Sequence, residues 1–587
     1  MNPAFDQGAS RRELIPPRPR WVAPGTPDPE RVRVLMGTLR LPREVCALLA
    51  ARGLVDPEAA KAFLRPLLDH LHDPELLADG AAAADRIAEA LARREVILVH
   101  GDYDVDGICA TALYTRFLRG VGGRVVPFVP HRIRDGYDFG EAGLTAARDA
   151  GASLVLTADC GTVAARPVAA AREAGLDVIV TDHHAVGPEP APASALVNPQ
   201  RPDCPYPDKG LCGTGVALKV CELVGRRLGA PREDLFALLD LVALATVADL
   251  VPLQGENRVL VRWGLARFRD SRVAGVRALL RASGVDARDV TTGRLGFVVA
   301  PRINAAGRIG ESADALRLLL TEDEREADGL ARALEETNRA RQEEDRRTLA
   351  EALDLLSRDF DPDRDYGVVL AAEGWHPGVI GIVASRVVER IHRPAVLVAL
   401  DGRAGRGSAR SIPGFHLYEA LSACRGHLRR FGGHRQAAGM DLDRGELEAF
   451  RARFNAEARS RLSADDLRPV VRPDLELPLE AVGLDLIHWL EYLGPHGIAN
   501  PRPLFLARGV TLERPRTLKE RHLKVTLRSG SATLDAIGFG LAERHPPDDL
   551  GGVGYDVLLK LDRNAWRGVA RPQAHIVDLV PSGPLPS

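Results

Sequence analysis

Between Val96 and Val197 the chain repeats one plan: a short apolar run, an aspartate or histidine, then a helix-forming stretch. "VILV" runs into "HGDYDVDG", "LVLT" into "ADCG" and "VIVT" into "DHHAVG". Short apolar strands alternating with helices make βαβ units and a parallel sheet. In an open sheet of that kind, ligands lie beyond the carboxyl ends of the strands. The polar residues at those ends are therefore expected on one rim, however far apart they stand in the sequence.

The first of these ends, His100 to Asp106, holds a histidine and the three carboxylates Asp102, Asp104 and Asp106. Like charges this close repel, and burying them unpaired is expensive. Either the segment is a solvated turn or a cation holds it. Asp159, His183, His184 and Asp249 (in "TVADLVPL") bring further ligand-type groups to predicted rim positions. Taken singly, Asp249 reads equally well as a helix cap and His184 as a core histidine. Taken together they match a two-cation site. Mixed carboxylate and imidazole ligation suits Mn2+, with Mg2+ as the alternative where waters complete the shell. Two cations about 4 Å apart can activate a water and stabilise both oxygens of an in-line displacement.

At 587 residues the chain exceeds one compact core, and several domains are expected. Its formal charge of -2 excludes a chain basic throughout but leaves room for a local basic groove. Only six of its 78 basic residues are lysine, and arginine is the better partner for planar phosphate and carboxylate groups. None of the seven cysteines forms a CxxC pair, which argues for a reducing compartment and against a structural zinc. With neither a signal-type N-terminus nor an apolar run of membrane length, the expectation is a cytoplasmic protein with no membrane contact.

The organisation expected is a disordered lead-in over 1–30 and an α/β catalytic domain over 31–321. A long solvated linking helix over 322–358 and a second α/β domain over 359–460 follow, with a small β-barrel of OB type over 461–587. Fold class is therefore α/β: two α/β domains joined by a long helix, then a barrel.

"GDYDVDG", "ADCG", "TDHHAVG" and "VADLVPL" resemble, in order, the motifs of the DHH phosphoesterase family. "APRINAAGR", "GWHPGVIGIVASR", "GSARS" and "FGGHRQAAG" resemble its associated substrate domain. With the linking helix and the barrel, the whole is similar to the single-strand exonucleases of that family. The resemblance implies that His100, Asp104 and Asp159 hold one cation and that Asp106, Asp159, His183 and Asp249 hold the other, with Asp159 bridging. It gives Asp102 an orienting role and turns His184 toward the scissile phosphate. It makes Ser408, Arg410, Gly433 and His434 substrate contacts, with Arg302, Asn304 and Arg308 facing the same cleft. It also implies 5′→3′ digestion of single-stranded DNA to mononucleotides in repair and recombination, and a 5′-phosphate pocket near Ser408 and Arg410. A single-strand-binding protein and a helicase are the partners it suggests. A monomer is expected.

Between Arg386 and Arg435 ten arginines face only Glu389, Asp401 and Glu419, interleaved with glycines that let a phosphate approach the backbone. In the barrel, Arg514, Arg516, Lys519, Arg521, His522 and Lys524 make one strand region basic. With aromatics at 5%, backbone electrostatics are expected to outweigh base stacking. Two other readings compete. A phosphodiesterase for cyclic dinucleotides or short oligonucleotides would need no barrel, and a scaffold that had lost catalysis would show gaps among the ligands.

Overall fold

The computed structural model describes residues 14–566 and 569–583, which form two compact units. Residues 24–337 together with those from 473 make one unit; residues 338–472, with the described residues before 24, make the other.

In the first unit the apolar runs pair as a five-stranded parallel sheet: β1 (Val96–Gly101), β2 (Arg124–Phe128), β3 (Leu154–Ala158), β4 (Asp177–Thr181) and β5 (Ala195–Val197). The strand order is β2-β1-β3-β4-β5. The chain leaves β1 toward one side and returns for β3 on the other, so the crevice of a doubly wound sheet opens between those two strands. Both end in the acidic motifs. Helix α1 (Val105–Gly120) leaves β1 and is buried on nearly all faces, which its small residues Gly107, Ala110 and Ala112 permit. Against it pack α2 (Gly213–Leu228) and α3 (Leu239–Ala248), and further along the chain lies α4 (Ala300–Ile309).

Helix α5 (Glu324–Asp359) is one 36-residue helix running from the first unit into the second. It is not simply solvated. Ala327, Ala331, Leu334, Asn338, Arg341, Asp345, Thr348, Ala352 and Leu356 form one buried stripe at three- and four-residue spacing, polar in its middle.

The second unit is also α/β. Strand β6 (Val368–Glu373) runs parallel to β7 (Ala395–Asp401) through the crossover helix α6 (Ile380–Ile391). Strands β8 (Ala404–Arg410), β9 (Arg430–Gly433) and β10 (Ala437–Asp443) extend the sheet antiparallel in the order β9-β10-β8-β7-β6. The lead-in contributes here: Arg20–Trp21 pairs in parallel with Val470–Val471, and Trp21 is buried. Structure thus begins before residue 31, while residues 1–13 lie outside the described residues.

The barrel consists of β11 (Phe505–Leu518), β12 (His522–Ser529), β13 (Ala532–Gly538), β14 (Tyr555–Trp566) and β15 (Val569–Pro581). Its order β11-β12-β13-β15-β14 closes through a β11–β14 pairing, as in an OB-fold. The segment before the catalytic sheet belongs with it. The helices Pro29–Leu39, Arg43–Ala51 and Pro57–Leu64 put Leu35, Val45, Leu48 and Leu49 into one core with Leu493, Leu523, Leu527 and Val557. The Arg258 guanidinium secures the approach to the barrel, donating to the carbonyls of Tyr492, Leu493, Gly494, Pro495 and Phe63.

Leu49→Ala removes a fully buried side chain from that shared core and should cost about 2–5 kcal/mol. Hydrogen exchange by mass spectrometry should show faster exchange in β11–β15 and unchanged protection in β1, β3 and β4. Equal loosening of the parallel sheet would contradict the shared core.

Candidate metal centre

Asp104 caps helix α1: its Oδ1 accepts from the Asp106 and Gly107 amides at 2.9 and 3.1 Å. Asp106, in the first turn of the helix, is held by the start of α2. Its carboxylate accepts from the Gly213 and Thr214 amides and from the Thr214 hydroxyl at 2.6–2.8 Å. Position 213 must be glycine, because a Cβ there would stand 2.5 Å from the Asp159 Cβ. Asp159 follows β3 with φ +66°, a left-handed conformation that costs a non-glycine residue roughly 1–3 kcal/mol. It is pinned by its own N–H, which donates to the Thr181 carbonyl at 3.0 Å. Asp249 ends helix α3.

These elements bring three groups of ligand atoms within 4.8 Å of one another: Asp102 with Asp104 and Asp159, Asp106 with His183 and Asp249, and Asp159 with His183 and His184. His183 Nε2 lies 3.1 Å from Asp159, 3.5 Å from Asp249 and 3.7 Å from Asp106. Yet Nε2 of His183 and Oδ1 of Asp102 and Asp159, all buried, have no hydrogen-bond geometry to any partner. Buried ligand-type atoms this close together and without hydrogen bonds to each other are what a cation requires. The residues fit a divalent-cation site.

Electrostatics agree. Burial, then the Asp106 charge, raises the Asp159 carboxyl far above the carboxylate range, and burial raises Asp102 and Asp104 as well. Burial, then Asp106 and Asp104, pushes Asp249 up to about 9. His183 is lowered by burial and stays neutral, the form in which imidazole binds a metal.

His100 stands apart. Its ring packs 5.3 and 5.2 Å from those of Phe128 and Phe139, with Nδ1 3.6 Å from the Cys160 sulfur. Among the described residues it belongs to none of the three groups, while its Nε2 is buried without a hydrogen-bond partner.

Two residues that the sequence reading passed over complete the site. Asp182 ends β4 and accepts from the His183 and His184 amides and from His184 Nδ1, the last at 2.7 Å. Burial opposes a charge on His184, but the hydrogen bond and charge of Asp182 outweigh it and raise the imidazole to about 9. Tyr137, from the loop after β2, sets its hydroxyl 3.4 Å from His184 Nε2. Its position is legible only as a tyrosine in a Gly/Asp-rich loop; Asp182 is legible as a carboxylate directly before two histidines.

The expected substrate contacts divide. Arg302 is held, ion-paired to Glu335 at 2.6 Å and donating to the Val298 carbonyl. Asn304 and Arg308 are half-buried on α4, with Arg308 close enough to act electrostatically on Tyr103. In the second unit, Arg410 bonds Ser408 Oγ at 3.2 Å. A Cβ on Gly381, in the first turn of α6, would stand 2.9 Å from Ser408 Oγ and 3.0 Å from Arg410 Nη2. Gly433, at φ +138°, and His434 form the exposed β9–β10 hairpin tip, with the His434 amide donating to Ala437. A cavity of about 920 Å³ in the same unit is lined by Trp375, His376, Arg406 and Arg430 but by none of these four contacts.

Family models match three stretches in chain order: the N-terminal domain of the DHH family over residues 96–246, the DHHA1 domain over 365–460 and the RecJ OB domain over 473–578. The single-stranded-DNA-specific exonuclease RecJ of Bacillus subtilis is 36% identical over 96% of this chain and 71% of its own. That of Escherichia coli is 34% identical over 92% and 96%. The chain belongs to the RecJ family of single-stranded-DNA-specific exonucleases. The crystal structure of Thermus thermophilus RecJ in complex with Mn2+ superposes with a TM-score of 0.84 at 35% identity, covering 96% of this chain and 80% of that one. A second RecJ structure from that organism, in complex with Mg2+, matches with a TM-score of 0.77 at 34% identity, over 96% of this chain and 79% of that one. Among the described residues no helix is long and apolar enough to cross a membrane.

The raised carboxyls hold protons more tightly in the cation-free fold than in the unfolded chain. Their contribution to stability is therefore present at low pH and lost as pH rises through the folded-state values, up to about 9 for Asp249. In EDTA at mildly alkaline pH, Asp159→Asn should melt above the wild type, by about 2–4 °C per kcal/mol of repulsion relieved. With Mn2+ at 100 times its Kd the wild type should gain ~2.7 kcal/mol and the variant far less, reversing the order. Calorimetry giving the same order in both conditions would rule out a cation cluster.

Proposed function

We propose that this RecJ family member degrades single-stranded DNA from the 5′ end, releasing 5′-mononucleotides by two-metal hydrolysis, in DNA repair and recombination. One observation carries this reading: ligand groups from four separate segments converge at the mouth of the sheet, beside a histidine hydrogen-bonded to Asp182.

In this reading Asp106, His183 and Asp249 would hold one cation, and Asp102, Asp104 and Asp159 the other. When bound, such ions polarise phosphoryl oxygens and lower the pKa of water. The chain's own residues do the rest. His184 donates a hydrogen bond from Nδ1–H to Asp182 and so turns Nε2–H outward, toward a phosphate oxygen on which negative charge grows. Burial raises the Tyr137 phenol well above its usual range, so it stays a neutral donor at the same mouth. Arg410 and Ser408 against the first turn of α6 combine a guanidinium, a hydroxyl and a helix N-terminus, which suits a terminal 5′-phosphate. A single-strand-binding protein and a helicase would supply the strand, and the chain would work as a monomer.

The test is a single strand labelled at either end, incubated with Mn2+, Mg2+ or EDTA. Prompt metal-dependent release of a labelled mononucleotide from the 5′ end alone is the expected result. Long strands left intact while dinucleotides are cut would replace this reading with a small-molecule phosphodiesterase.

Two variants separate the roles. Asp182→Asn should lower kcat roughly 10–100-fold with strand affinity kept, the usual effect of removing a group that orients an active-site residue. Arg410→Ala should weaken binding of a 5′-phosphorylated strand roughly 10–100-fold, the worth of a charge-assisted hydrogen bond, and leave a 5′-hydroxyl strand nearly unaffected. Equal effects on both strands would remove Arg410 from the pocket.

A further inference from the structure

The barrel carries three rings that are far apart in sequence and meet on its outer surface. Phe539 follows β13 and is 58% exposed. His522, at the start of β12, makes a T-shaped edge contact with it at a centroid distance of 5.3 Å, and His575 of β15 makes a second at 5.4 Å. The alternation of the strands fixes the facing. Leu523, Val525 and Leu527 point into the core, so His522 and Lys524 point out. Ile537 pairs with Lys524 on one side and His575 on the other, which puts it on the same outer face one step from Phe539.

The arrangement is held in place. The turn after β13 passes through Gly540 at φ +71°, and its amide donates to His522 Nδ1 at 3.0 Å. That bond makes Nδ1 the acceptor, fixes the His522 ring plane and ties the Phe539 turn to the next strand. A large apolar ring held in water by two edge-on histidines serves no packing purpose within the barrel. Around it stand exposed Lys519 and Arg521 and half-buried Lys524. The second and third strands of an OB barrel, here β12 and β13, and the loop between its first two are where such folds take oligonucleotides.

We infer that Phe539, flanked by His522 and His575, is a base-stacking platform on which the single strand lays an unpaired base while Lys519, Arg521 and Lys524 follow its phosphates. This rests on the strand-degrading reading above and specifies how the barrel grips the strand. It adds a stacking contact to the backbone electrostatics expected to dominate in the barrel. Stacking on an aromatic face accepts any base, so the platform adds affinity for single strands without adding sequence preference. A duplex keeps its bases inside and cannot use it.

The test measures binding by fluorescence anisotropy in EDTA, which prevents cleavage. The probes are a long thymidine oligonucleotide and an abasic strand of equal length, which has the same phosphates and no bases. Phe539→Ala should weaken the thymidine strand roughly 5- to 100-fold and leave the abasic strand unchanged, while Phe539→Trp restores tight binding. Hydrolysis of a thymidine dinucleotide with Mn2+ should be the same in all three proteins. Equal loss on both strands, or no loss on either, would overturn the platform. A wild type that binds and discriminates these probes but leaves long strands uncut would sink the exonuclease reading and spare the platform.

Discussion

Negative charge placed where water is scarce governs this molecule. Asp102, Asp106 and Asp159 are almost wholly buried at one sheet edge, and Asp104 caps a helix between them. Burial, then repulsion from neighbouring carboxylates, raises the affinity of Asp102, Asp104 and Asp159 for protons. A fold built on such a centre is tense until positive charge enters. That tension is the source of affinity, since every kilocalorie of repulsion relieved on binding adds to the attraction for a divalent ion. The strained backbone at Asp159 serves the same end: it keeps this carboxylate where two of the three ligand groups meet.

The parallel sheet explains why so scattered a sequence can make so dense a site. Strand ends are fixed in space by hydrogen bonds along their whole length, and the loops that follow need only be short. His183 and His184 inherit their placement from β4, Asp159 from β3, and Asp104 from the first turn of α1. Asp182 then divides the two histidines into different chemistry. His183, buried among ligands, stays neutral and can accept a metal; His184, tied to a carboxylate, stays charged and can donate a proton. Adjacent residues of one type thus differ by environment alone.

Much of this was legible beforehand because period and punctuation carry it. The βαβ alternation, the acidic strand ends, the length of α5 and the barrel all leave local signals. What escaped was mostly non-local. The buried stripe of α5 is polar at Asn338, Arg341 and Asp345, so hydrophobic periodicity missed it. The ion pair that occupies Arg302 lies with Glu335, more than thirty residues on, where no spacing rule applies. The packing of His100 beside Phe128 and Phe139 is a matter of side-chain direction that sequence does not record. The partnership of Phe539 with His522 and His575 depends on strand register in the barrel.

The helices between Pro29 and Leu64 share their core with strands that begin only at Phe505. A ribosome adds about 5–20 residues per second, so these first helices leave the exit tunnel on the order of half a minute before their partner exists. During that interval Leu35, Val45, Leu48 and Leu49 have no interior to enter, while the parallel sheet behind them already has all its strands. These helices can complete their core only when the barrel strands have been made.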